Sequence, residues 1–195
     1  MIEYILEILS LFVLGVIEMW GYWGVFFLMA LESANIPIPS EIIMPFSGFL
    51  VSTGVFDFWT VVLVGALGNL AGSLGSYYLA ERFRGWVAHH YLYEKIESWV
   101  EKYGVASSFW GRLLPIVRTF ISFPAGLFKI PIIPFSALTF AGSFIWSAIL
   151  TYPGVYLGEN WEAIEPIFRK FDLVIAALLV VAMVWGLKLH FAKKK

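Results

Sequence analysis

The chain has 195 residues, is 60% hydrophobic and 14% charged, and carries a formal net charge of −1. Soluble domains average about 25% charged residues, so this composition belongs to an integral membrane protein, and the near-neutral balance argues against nucleic acid as a partner. The absence of cysteine excludes disulfides and thiolate metal sites.

Residues 1–19 begin with acids rather than with the basic start and small-residue cleavage site of a signal peptide. Glu3, Glu7 and Glu18 fall on one side of a helix, which predicts an interfacial or bundle-packed N-terminal helix. Residues 20–80 are expected to form a first hairpin plus a span. The apolar run from Trp20 meets Glu32, Pro37, Pro39 and Glu41, and two prolines so close together cannot both lie inside a regular helix. Ile42 to Val55 is too short to cross a bilayer, which takes about 20 residues. A re-entrant hairpin, shielded by protein or facing water, fits such short and broken segments. Phe58 to Ala80 is long enough to span, and Gly65, Gly68, Gly72 and Gly75 place a small-residue face on it for close helix packing, within this chain or against a second copy. Asn69 is the polar residue of interest there.

Residues 81–104 mix charges with Trp86, Tyr91, Trp99 and other apolar residues, which predicts an amphipathic crossing on the membrane surface. His89 and His90 are adjacent and point to different helix faces, so no metal site is expected. Residues 105–158 repeat the earlier order, with a second broken stretch holding Arg112, Pro115, Arg118 and Pro124, then the Ile132–Leu157 span. Residues 172–191 form a last apolar span, followed by Lys193, Lys194 and Lys195. The fold class expected is an all-α polytopic membrane protein, one membrane domain over 1–195. It contains two inverted repeats, each a re-entrant broken-helix hairpin plus a transmembrane helix, with flanking N- and C-terminal helices. Arg82, Arg84 and the terminal lysines favour the cytoplasmic side, which puts the C-terminus there.

The expected site is the charged set Glu32, Glu41, Arg112 and Arg118, because a charge at bilayer depth is costly unless paired or hydrated. If the two hairpin tips meet, two guanidinium groups face two carboxylates. Arginine suits a phosphate, since its planar fork donates two hydrogen bonds to one oxyanion. A bound phosphate repels a neighbouring carboxylate, so proton uptake at Glu32 or Glu41 can accompany anion movement. Structural ion pairs that lock the hairpins account for the same residues. Pro37, Pro39, Pro115 and Pro124 are the hairpin-shaping positions.

Three ordered motifs then carry a resemblance. Glu32-x4-Pro37-Ile-Pro39-Ser-Glu41-x6-Gly48, Gly65-x2-Gly68-x3-Gly72-x2-Gly75-x-Tyr77 and Phe109-x-Gly111-Arg112-Leu-Leu-Pro115-Ile-Val-Arg118-Thr119-x4-Pro124-Ala-Gly126 resemble the DedA family, the VTT or SNARE-associated Golgi protein group, over about Tyr22 to Gly158. The resemblance implies a transporter with two re-entrant hairpins that moves lipid across the cytoplasmic membrane. The implied substrates are polyprenyl phosphates such as undecaprenyl phosphate, or in some members phosphatidylethanolamine, with a link to proton-motive force. Its acidic and arginine positions map onto Glu32, Glu41, Arg112 and Arg118.

The expectation is therefore a proton-linked polyprenyl phosphate transporter without a cofactor. Arg112 and Arg118 hold the phosphate, and Glu32 and Glu41 carry protons. The alternatives are a phospholipid flippase or scramblase, and a proton-coupled ion or drug exchanger. An enzyme such as a lipid phosphatase is not expected, because no histidine lies in either broken stretch to act as a base.

Overall fold

In the computed structural model, residues 2–36, 38–87, 104–114 and 117–158 are described, all helical or in the turns between helices. Side chains of residues 2–7 and 84–87 are not included in the description. The crossing expected at 81–104 lies outside the described residues from 88 to 103, as do the C-terminal span at 172–191, Pro37 and Pro115.

The helices are α1 (Ile2–Trp20), α2 (Tyr22–Ser33), α3 (Ser40–Ser52), α4 (Phe58–Val87), α5 (Ser107–Trp110), α6 (Val117–Phe120), α7 (Ser122–Leu127) and α8 (Ile132–Leu157). Gly104–Ala106 and Gly111–Leu113 are 3₁₀ turns. Two stretches, Phe58–Phe83 and Ile132–Leu157, are long and apolar enough to cross a membrane, each with 26 residues. At about 1.5 Å per residue they reach about 39 Å, more than a hydrocarbon core of about 30 Å. Helix α4 runs seven residues beyond Ala80, to Val87, so the polar connection starts later than its composition suggests: Glu81, Arg82 and Arg84 are good helix formers and do not end a helix.

Backbone chemistry sets where the helices break. Helix α2 ends in a Schellman cap: Asn35 is left-handed at φ 69°, its N–H donates to the Glu32 carbonyl, and the Ile36 N–H donates to that of Leu31. Asparagine tolerates this conformation better than most residues, and the Asn35 Nδ2 is anchored to the Ser76 Oγ of α4 at 2.7 Å. The same pair of bonds ends α3 at Gly54 (φ 78°) and α7 at Lys129 (φ 53°). Pro39 then starts α3, its extended backbone (φ −76°, ψ 120°) preceding the first helical turn. The second broken stretch is more fragmented than the first. Leu114, next to Pro115, is extended (φ −106°, ψ 120°), as a residue before proline prefers, and only short turns form on either side.

The packing partners alternate. Helix α2 lies on α4 and α3 on α8, while α5 and the Gly111–Leu113 turn lie on α8 and α7 on α4. Glycines permit the close approaches. A Cβ at Gly68 or Gly72 would strike the Phe26 or Ala30 carbonyl oxygen of α2. One at Gly126 would strike the Tyr77 carbonyl oxygen of α4, and one at Gly48 or Gly154 would strike the facing backbone of the α3–α8 pair. Gly65 faces the Met44 side chain, whereas a Cβ at Gly75 meets nothing within 4 Å among the described residues. The four glycines of α4 therefore do not form one contact row.

An apolar core that includes Val25, Leu28, Ile43, Met44 and Phe135 is buried, and polar groups are buried beside it. Trp20, Trp23, Trp59, Trp110, Ile133 and Tyr156 are exposed, while Glu32, Arg112, Arg118, Asn69 and a row of serines are buried. Large exposed apolar side chains together with buried polar groups that partner one another are what a lipid solvent favours.

Candidate functional site

The buried polar groups gather near the middle of both long helices. Asn69 and Ser73, four residues apart on α4, share a face. The last turn of α2 supplies Glu32 and Ser33, and the first turn of α3 supplies Ser40 and Glu41. The Schellman cap and Pro39 make this possible: they stop one helix and start the next within a few residues, so both ends turn towards the same point. From the second broken stretch come Arg112 on its 3₁₀ turn, Arg118 on α6 and Ser122 at the start of α7.

Arg118 is 3% exposed and reaches across to the first stretch. Its Nη2 donates to Glu32 Oε1 and to Ser40 Oγ, and lies 3.7 Å from Glu41 Oε1. Its guanidinium carbon sits 4.9 Å above the Trp146 ring of α8. Arg118 thus faces both acids and stacks on an aromatic face, a setting suited to a weakly hydrated, planar cation.

Arg112 departs from the expected arrangement. It is 2% exposed, yet its partners are neutral: Nη1 donates to Asn69 Oδ1 at 3.0 Å, and Nη2 donates to the hydroxyls of Ser73 and Ser122. Among the described residues no carboxylate lies within 4.0 Å of it. The two guanidiniums therefore do not face the two carboxylates as a symmetrical quartet; one is ion-paired and the other is held by dipoles. The reason is reach: α2 and α3 present their acids towards α6, while Arg112 enters from the α8 side, with its Cβ against Gly142. Asn69 links the halves, accepting from Ser33 Oγ as well as from Arg112.

Sequence reasoning singled out the four charges and Asn69 and missed Ser33, Ser40, Ser73, Ser122 and Trp146. Ser73 carried a usable signal, being one helical turn from Asn69. Ser40 is next to Glu41, and Ser122 is four residues from Arg118. Nothing in the local pattern marks Trp146 among nine tryptophans. Pro39 starts α3 and Pro124 lies in the first turn of α7, where its missing N–H costs no hydrogen bond. Among the described residues, charges outside the cluster stay at the surface: Lys129, exposed, pairs with the partly exposed Glu81 at 3.3 Å. Asp57 caps α4, accepting from the Thr60 N–H at 2.8 Å and the Thr60 hydroxyl at 2.7 Å. Those bonds hold its carboxyl below the ordinary value of 3.8.

The sequence profile of the VTT domain matches residues 38–156, which include Glu41 and both arginines. An "alkaline phosphatase-like protein" of Lactococcus lactis subsp. cremoris is 33% identical over 94% of this chain and 92% of its own length. "Undecaprenyl phosphate transporter A" of Bacillus subtilis is 29% identical over 86% of this chain and 88% of its own. The protein of the same name in Staphylococcus aureus is 24% identical over 92% and 95%. No solved structure matches the chain. With the profile covering more than half of its length and relatives aligned nearly end to end, the chain belongs to the VTT-domain family, the DedA family of membrane proteins.

Proposed function

We propose that this protein is a multi-pass transporter of the cytoplasmic membrane that moves a polyprenyl phosphate between leaflets, linked to protons. The observation that carries the reading is Arg112, a guanidinium buried near mid-span with only neutral partners among the described residues. A cation kept at that depth favours an anion, and a phosphate headgroup supplies one while its prenyl tail stays in lipid. The names of the aligned Bacillus and Staphylococcus proteins point to the same substrate class.

In this reading Arg112 and Arg118 bind the phosphate. An arriving phosphate competes with Glu32 and Glu41 for Arg118, and the displaced carboxylates take up protons, which links anion movement to a proton gradient. The alternating packing, in which each broken stretch lies partly on each long helix, supports two inverted repeats with re-entrant hairpins, and the lysine-rich end supports a cytoplasmic C-terminus. Neither broken stretch contains a histidine to activate the serines that touch the arginines, which supports transport over hydrolysis.

The test is leaflet-to-leaflet movement of a labelled polyprenyl phosphate in proteoliposomes, with and without a pH gradient. Wild type should move it and respond to the gradient, while Arg118→Ala and Arg112→Lys should not. Lys keeps the charge but loses the planar fork. Movement by both variants at the wild-type rate would refute phosphate binding by this pair. Equal movement of phosphatidylethanolamine, with no competition by short-chain prenyl phosphates, would favour scrambling.

A further inference from the structure

The buried centre holds more hydrogen-bond donors than it satisfies. Among the described residues, Arg112 Nε, Arg118 Nε and Nη1 and Trp146 Nε1 are buried donors without a partner. The hydroxyls of Ser143 and Ser147, on the same stretch of α8, are also free, as are those of Thr139 and Ser108; the unpartnered acceptors are Glu32 Oε2 and Asn35 Oδ1. Ser143 and Ser147 are 1% and 0% exposed.

A free hydroxyl here is not the default. Ser47, Ser73, Ser136 and Thr151 each donate to the carbonyl four residues back, the usual resting place for a hydroxyl inside an apolar helix. Ser143 and Ser147 lie in the interior of a regular helix, α8, and do not fold back in this way. Each buried donor left unmade costs about 1–3 kcal/mol, so a cluster of them persists where a ligand rich in acceptors binds. The same segment of α8 touches both arginines. Trp146 lies beneath the Arg118 guanidinium, and Gly142 lets the Arg112 side chain pass against the helix, a Cβ there falling 2.8 Å from the Arg112 Cβ.

We propose that Trp146, Ser143 and Ser147 form the α8 wall of an oxyanion site completed by Arg112 and Arg118, and that this wall selects a terminal phosphate monoester. The inference rests on the phosphate-lipid reading above and adds to it the residues that determine specificity. A monoester dianion presents three terminal oxygens and no donor, which matches a cluster with more unpartnered donors than unpartnered acceptors among the described residues. A phosphodiester headgroup such as phosphatidylethanolamine presents two such oxygens and brings an ammonium that needs acceptors of its own. Trp146 has two parts to play: its ring face holds the Arg118 guanidinium flat, and its N–H donates to the phosphate.

The experiment is calorimetric binding to the full-length protein in detergent micelles of a short-chain prenyl monophosphate, a short-chain phosphatidylethanolamine and inorganic phosphate. Wild type is compared with Trp146→Phe, which keeps a ring face over Arg118 and removes the N–H, and with Ser143→Ala and Ser147→Ala. Wild type should prefer the prenyl monophosphate. Trp146→Phe should weaken it about tenfold, the loss expected for one hydrogen bond to a charged group, and each serine variant should weaken it about three- to tenfold. Binding of phosphatidylethanolamine, which has one fewer terminal oxygen to bond, should weaken less, so the preference narrows; a general packing defect would weaken both ligands equally. If Trp146→Phe fails to fold, the serine variants, which each remove a single oxygen, carry the test. Wild-type monophosphate affinity in all three variants would overturn the α8 wall and leave the phosphate-lipid reading standing. No monophosphate binding by wild type, or binding of inorganic phosphate as tightly as the ester, would overturn both.

Discussion

Breaking the Arg118–Glu32 pair tests whether it couples the two broken stretches. Glu32→Gln keeps the size of the side chain and a carbonyl oxygen for Arg118 but removes the charge. Both partners are buried, at 3% and 4% exposure, and removing one member of a buried pair costs about 3–5 kcal/mol because the other charge is left uncompensated. Arg118 retains Glu41 at 3.7 Å and the Trp146 face at 4.9 Å, so the low end, about 3 kcal/mol, is expected. Arg118→Met should cost about as much, since it strands Glu32, whose Oε2 already has no partner among the described residues. The double variant removes both charges, and its cost should be about 4 kcal/mol rather than about 6, a coupling of about 2 kcal/mol. Thermal unfolding of the purified protein in detergent micelles, followed by circular dichroism, reads this out. For a chain of this size each single change should lower Tm by about 6–12 °C. Single-variant costs that add to within about 0.5 kcal/mol in the double variant would show that the pair is not a coupled unit and would refute the reasoning.

Two further predictions follow from local geometry. Gly72→Ala should destabilise by about 1–3 kcal/mol, because its Cβ would press on the Ala30 backbone, which moves only with α2; Gly75→Ala, which meets no neighbour among the described residues, should be neutral or slightly stabilising through helix propensity. Equal Tm values for the two variants would contradict the packing of α2 on α4. The second concerns pH. Since the folded Asp57 carboxyl sits below its ordinary value of 3.8, its contribution is present above that value and lost as pH falls through the lower folded one. Below about pH 4 the wild type should therefore lose stability that Asp57→Asn does not have to lose; parallel Tm profiles in acid would rule out the cap as a source of acid sensitivity.

The sequence by itself determined the solvent, the two long helices and the chemistry available at the site. Low charge with abundant aromatics, two apolar stretches and four isolated charges beside prolines are properties of composition and spacing, and such local preferences act wherever the chain goes. It also located the first break, because Pro37 and Pro39 cannot both continue a helix. Only the tertiary structure decided how the charges are partnered. Glu32 and Arg118 are 86 residues apart in the chain, and their meeting depends on α2 lying against the glycines of α4 while α6 closes over it. The same packing gave Arg112 to Asn69, Ser73 and Ser122 in place of a carboxylate and selected Trp146 from among the tryptophans. Spacing along one helix cannot reveal such contacts, because they are set by where separate helices approach closely enough for side chains to touch.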